Sequence, residues 1–106
     1  MHPTDMPLFT TPCLGATIAQ VDVFPTHITY QQKLGRDISV EVPMIASVER
    51  HTYQNGFVIL STTSRRRIIC TVERKRVNAL YRAICRLQRV EERDKLLTDG
   101  SELLEL

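Results

Sequence analysis

The 106-residue sequence predicts one α+β domain, a run of antiparallel strands closed by a long amphipathic C-terminal helix. Three observations carry that expectation. Between Ala16 and Val72, apolar residues alternate with polar ones, the period of a half-buried strand. Turn chemistry interrupts the alternation at Phe24-Pro25-Thr26, Leu34-Gly35-Arg36, Pro43, Gln54-Asn55-Gly56 and Thr62-Thr63-Ser64. At about Glu73 the period becomes helical, and neither Gly nor Pro occurs from Glu73 to Asp99.

Residues 1–12 hold Pro3, Pro7 and Pro12 and read as a flexible leader. The first strand turns Ala19, Val21 and Val23 one way, Gln20 and Asp22 the other. Pro25 lacks the ladder donor and breaks the run. Ile28 and Tyr30 then share the inner face of a second strand, and Gly35 supplies the residue able to take a positive φ in the following turn. Ile38, Val40 and Val42 alternate with Ser39 and Glu41 until Pro43. Ile45 and Val48 anchor a short turn and a fourth strand. Asn55-Gly56 suits a type I′ hairpin turn. The continuous apolar run Phe57 to Leu60 fits a central strand, and Ile68, Cys70 and Val72 point inward from the last one. Val77, Leu80, Tyr81, Ile84 and Leu87 recur on one face of the helix, with Lys75, Arg82, Arg86 and Arg89 opposite. A helix reaching Leu97 would span ~36 Å at ~1.5 Å per residue. Against a domain radius of gyration of ~13 Å it should overhang the sheet, with Gly100 ending it.

Composition narrows the class. Charged residues at 25% and a net charge of +2 do not describe a polyelectrolyte binder. Cys13, Cys70 and Cys85 are odd in number and form no C-x-x-C, which argues against a disulfide framework and a zinc site. Buried structural thiols in a reducing compartment are the simpler reading. Residues 1–12 have no basic and apolar signal pattern, and no run approaches the ~20 apolar residues of a membrane span. The expectation is a soluble, cytoplasmic domain.

The order of elements resembles the pleckstrin-homology superfold, and in detail the bacterial pleckstrin-homology-like (PH-like) domains. The residues carrying the likeness are Val21-x-Val23-Phe24-Pro25, Ile28-x-Tyr30, Leu34-Gly35, Ile38-x-Val40-x-Val42-Pro43, Ile45-x-Ser47-Val48, the Gly56 hairpin, and the helix from Arg74 to about Leu87. The resemblance implies a strongly bent antiparallel sheet, a partly open barrel of six to seven strands, plugged at one end by the helix. It divides the chain into a leader (1–12), a PH-like domain (13–90), and a helix extension with a Leu-rich tail (91–106). It implies no single activity, because such folds host lipid, peptide and oligomerisation surfaces alike. The family's lipid-binding members carry a basic motif around the first hairpin, whereas Phe24-Pro25-Thr26 has no basic residue.

No catalytic residues stand out. His2, His27 and His51 fall in no recognised motif, and Asp22, Asp37, Glu41 and Glu49 read as solvated strand or turn positions. No enzyme activity, metal or cofactor is expected. The one local charge anomaly is the segment 65–89, where nine cations face Glu73 alone. Arg65, Arg66, Arg67, Lys75, Arg82, Arg86 and Arg89 are the candidate anion-binding residues, guanidinium groups being suited to bidentate recognition of phosphate or carboxylate. A solvated helix face, or a site for an acidic protein segment, accounts for the same pattern. Leu96, Leu97, Leu103, Leu104 and Leu106 fall outside the strand-and-helix core; they either fold back on the barrel or form the candidate interface for a protein partner or a second copy. The expected function is therefore a non-enzymatic protein-interaction or oligomerisation module. The alternative is an anion-binding module for a phosphorylated ligand, acidic lipid or nucleic acid.

Overall fold

The computed structural model describes the backbone of residues 6–52 and 56–104, with side chains up to residue 90. In chain order the elements are β1 (Phe9–Pro12), β2 (Ile18–Val23), β3 (His27–Gln32), β4 (Ile38–Glu41), β5 (Ile45–His51), β6 (Gly56–Thr62), β7 (Arg67–Val72) and α1 (Val77–Leu104). One 3-10 turn, Val42–Met44, separates β4 from β5, and another, Arg74–Arg76, leads into α1.

The strands do not form one continuous bent sheet. They divide into a four-stranded antiparallel sheet, β1-β2-β3-β4, and a three-stranded one, β5-β6-β7. The division falls at Pro43, which cannot donate to a ladder and sits in the 3-10 turn. Where the sheets meet, a backbone bond from Leu14 N to Thr71 O, at 2.7 Å, stands in place of a ladder.

Most of the expected strands are present. Tyr30 and Ile28 are buried on β3, Val40 on β4, and β6 is the central strand of its sheet with Val58 and Leu60 fully enclosed. Ile68, Cys70 and Val72 point inward from β7. Gly35 has φ +97°, as its turn requires.

Three local expectations are corrected. Part of the supposed leader is ordered: Phe9–Pro12 pairs with β2, Thr10 opposite Asp22. The added strand buries Asp22, which had been read as solvated. Its carboxylate accepts bonds from Thr10 Oγ1 (2.8 Å), Gln20 Nε2 (2.8 Å) and Gln31 Nε2 (2.6 Å). A register shift between Ile18 and Gln20 inserts a residue into β2, so Ile18 rather than Ala19 is buried. Gly56 is needed for space at the head of β6, since a Cβ there would lie 2.1 Å from Val77 Cγ2. The expected type I′ turn beside it includes residues 54 and 55, which lie outside the described residues.

Val77, Leu80, Ile84 and Leu87 form the buried stripe of α1, which packs against β5 and β6. Gly100 does not end the helix. Glycine costs about 1 kcal/mol relative to alanine inside a helix, an amount a long helix absorbs. At 28 residues α1 is ~42 Å long. The expected overhang is visible in dimensions of 53 × 36 × 26 Å and a radius of gyration of 15.3 Å.

Candidate functional site: an arginine hollow on the helix–strand seam

Where α1 lies along β5, the outward edge of the helix and the helix-facing side of the strand border a hollow of about 350 Å³. Arg82, Arg86 and Arg89 line it from α1, one helical turn apart along the edge, and Arg50 enters from β5. Tyr81 and Cys85 complete the wall. No described carboxylate lines it. Four arginines thus border one hollow with no described carboxylate among them, and because all four are exposed their guanidinium groups can exchange water for an anion.

Arg50 is held in place from both sides. Its Nη1 donates to Asn78 Oδ1 at 2.6 Å, and its guanidinium lies 4.8 Å from the centroid of the Tyr81 ring. Tyr81 is half-buried at the margin of the core stripe rather than within it, so its hydroxyl reaches the hollow. The Cys85 thiol beside that hydroxyl raises the Tyr81 pKa, and Arg50 and Arg89 pull it the other way. The phenol is therefore a neutral hydrogen-bond donor at neutral pH.

The structure does not bring all of the expected basic residues together. Arg82, Arg86 and Arg89 come together. Arg65 and Arg66 lie in the β6–β7 turn and Arg67 opens β7, away from this hollow. There Arg65 takes φ +69°, held by its N–H donating to Thr62 O at 3.0 Å. Arg67 faces Glu49 at 4.0 Å, and Arg66 lines a different depression with Ser39, Glu41 and Met44. Lys75 pairs with Glu73 at 3.4 Å. Arg50 was missed by sequence reasoning because it is isolated in the chain, flanked by Glu49 and His51, and only the docking of α1 brings it to Tyr81. Of the candidate interface leucines, Leu96, Leu97, Leu103 and Leu104 fall within the span of α1, while Leu106 and every side chain beyond Val90 lie outside the described residues.

A larger hollow of about 650 Å³ lies between the β3–β4 end of the first sheet and α1, walled by Pro25, Pro43, Leu87 and Val90 with His27 and Glu41. One imidazole and one carboxylate give it no concentration of like charge, and the arginine hollow is the more specific site. Among the described residues no three His, Cys, Asp or Glu side chains cluster as metal ligands. None of the described helices is long and apolar enough to cross a membrane. The chain matches no protein-family model, no curated protein and no solved structure.

Proposed function

We propose that this chain is a non-enzymatic recognition module that binds a phosphate-bearing anion in the hollow formed by Arg50, Arg82, Arg86 and Arg89. The observation that carries the reading is the convergence of four arginines from two elements on one concavity with no described acid among them. The division into four strands, three strands and a closing helix agrees with the PH-like order of elements, which is compatible with such a role and does not assign it. Nucleic acid fits less well. Tyr81 is the single aromatic ring in the hollow, and Arg50 already covers one of its faces.

The test is an amide NMR titration with inositol hexakisphosphate, short single-stranded DNA and acidic lipid vesicles at physiological salt. Shifts should centre on Arg50, Tyr81, Arg82, Arg86 and Arg89 and fade as salt rises. Each charge-assisted bond contributes roughly 1.5–3 kcal/mol, so Arg86→Ala should weaken binding about 10- to 100-fold. The vesicle and DNA arms separate the sources of phosphate. Shifts confined to Arg65–Arg67, or no shifts at all, would remove the hollow from consideration.

A second reading, self-association, rests on the distal half of α1. With about 100° per residue, positions 96, 97, 100, 103 and 104 share the side of the helix opposite Leu80 and Ile84, whose side packs on the sheets. Leu96-Leu97 and Leu103-Leu104 are also equidistant from Gly100, as an antiparallel contact between two copies about a dyad at Gly100 would require. Light scattering of the full chain, of the chain truncated after Arg89, and of Leu97→Glu/Leu103→Glu tests it. A dimer that persists in high salt and is lost in both altered chains supports the reading, and a monomeric full chain at high concentration ends it.

A further inference from the structure

The three cysteines divide into a pair and a single residue. Cys13 follows β1 at the rim of the first sheet, and Cys70 lies in the middle of β7 in the second. Their Sγ atoms are 2.7 Å apart although the residues are separated by 57 positions. Both are buried, Cys13 at 8% exposure and Cys70 at 1%. Leu14, the next residue, donates its N–H to Thr71 O, so the backbone already holds the two sulfur-bearing segments side by side. This is the seam where the two sheets meet without a ladder. Cys85 sits apart, in the wall of the arginine hollow.

We propose that Cys13 and Cys70 are a redox-modification site, at which a small peroxide converts the two thiols into a reversible disulfide that clasps the two sheets together. A disulfide places its sulfurs about 2.05 Å apart, so closing the bond needs a movement of under about 1 Å. Cys13 is the residue that reacts first. It is the less enclosed of the two, and its contact with the Cys70 sulfur lowers its pKa. The Cys13 thiolate attacks one oxygen of hydrogen peroxide, the O–O bond breaks, and Cys13 becomes a sulfenic acid as hydroxide leaves. Cys70 then displaces the hydroxyl from Cys13 Sγ, the S–S bond forms, and the Cys70 proton leaves with that hydroxyl as water. The hydroxide takes up the proton released when the thiolate formed. In sum two thiols lose two electrons, and one peroxide is reduced to two waters. A dithiol reductant reverses the change by thiol–disulfide exchange.

The residues that bury both thiols disfavour a bulky reagent, which is why a peroxide suits the pair better than a large disulfide. They also protect the sulfenic acid, because Cys70 is in contact with it as soon as it forms.

The experiment is to treat the full chain with a modest excess of hydrogen peroxide, count free thiols after denaturation, and map linked peptides without reduction. One free thiol, Cys85, and a Cys13–Cys70 linked peptide are expected. The Tm should rise by roughly 10 °C on oxidation, a long closed loop being costly to the unfolded chain, and return with dithiothreitol. Cys85→Ser should behave the same way, whereas Cys13→Ser and Cys70→Ser should show no rise. The Cys85→Ser chain keeps the pair intact, so the linkage can be read even if removing a buried thiol weakens folding. Three free thiols after treatment, a link through Cys85, or sulfinic acid at Cys13 would overturn the proposal.

Discussion

Gly56→Ala is the sharpest test of the packing between the second sheet and the helix. A single methyl group is added at the head of β6. Its carbon would lie 2.1 Å from Val77 Cγ2, 3.0 Å from the Val72 carbonyl oxygen and 3.2 Å from Arg74 Cα, where ordinary contact begins near 3.4 Å. Two of those neighbours are backbone and cannot rotate away. The third belongs to Val77, which has no exposed surface and opens the buried stripe of α1. Relief therefore requires the helix start to withdraw by more than an ångström from β6. Overpacking of this kind costs about 1–3 kcal/mol, and alanine returns about 0.4–1 kcal/mol by restricting the unfolded chain. A net loss of about 1–2 kcal/mol is expected. With a urea slope of about 1–3 kcal/mol per molar, the unfolding midpoint should fall by roughly 1 M without a change in slope. Val77→Ala removes the clashing methyl at the cost of a cavity. The double variant should therefore lose less than the two single losses added together, by about 1 kcal/mol or more. A Gly56→Ala loss under about 0.5 kcal/mol, or strict additivity with Val77→Ala, would refute the idea that close approach is the reason for glycine at this position.

Two further outcomes follow from the core. Ile84→Ala empties the centre of the helix-to-sheet contact, where Ile84 has no exposed surface, and should cost about 2–5 kcal/mol by thermal or urea unfolding. A loss below about 0.5 kcal/mol would mean that the stripe does not bear on the sheets. Tyr30 is 1% exposed, and burial pushes its phenol well above the ordinary value of 10.0. The native state then holds a proton that the unfolded chain gives up, so stability is full below about pH 10 and falls as pH rises further, by about 1.4 kcal/mol per unit at most. Tyr30→Phe should lack this slope. Unfolding curves between about pH 9 and 11 that run parallel for the two proteins would disprove the burial argument.

The secondary structure was readable because its signals are local. Alternation along 27–30, 38–42 and 68–72 shows which side chains a sheet must hide, and the recurrence of Val77, Leu80, Ile84 and Leu87 does the same for a helix. A local period, however, does not report a neighbour contributed from far along the chain. Asp22 reads as solvated within its own strand, and its burial follows from β1 on one side and Gln31 of β3 on the other. Gly56 carries the same letter whether it serves a turn or makes room for Val77, 21 positions away.

The candidate site follows the same division. The sequence by itself determined that cations crowd 65–89, because charge is counted along the chain. Only the tertiary structure decided which of them meet. It set Arg65 and Arg66 in a turn and Arg67 at the start of β7, sent Lys75 to Glu73, and brought Arg50 from β5 to Arg82, Arg86 and Arg89. It likewise joined Cys13 to Cys70, which no spacing rule connects. The physical reason is the same in each case. Packing the buried stripe of α1 and the inward faces of two sheets on one core leaves a single compact arrangement, and the polar residues riding on those elements are carried to neighbours that no local pattern encodes.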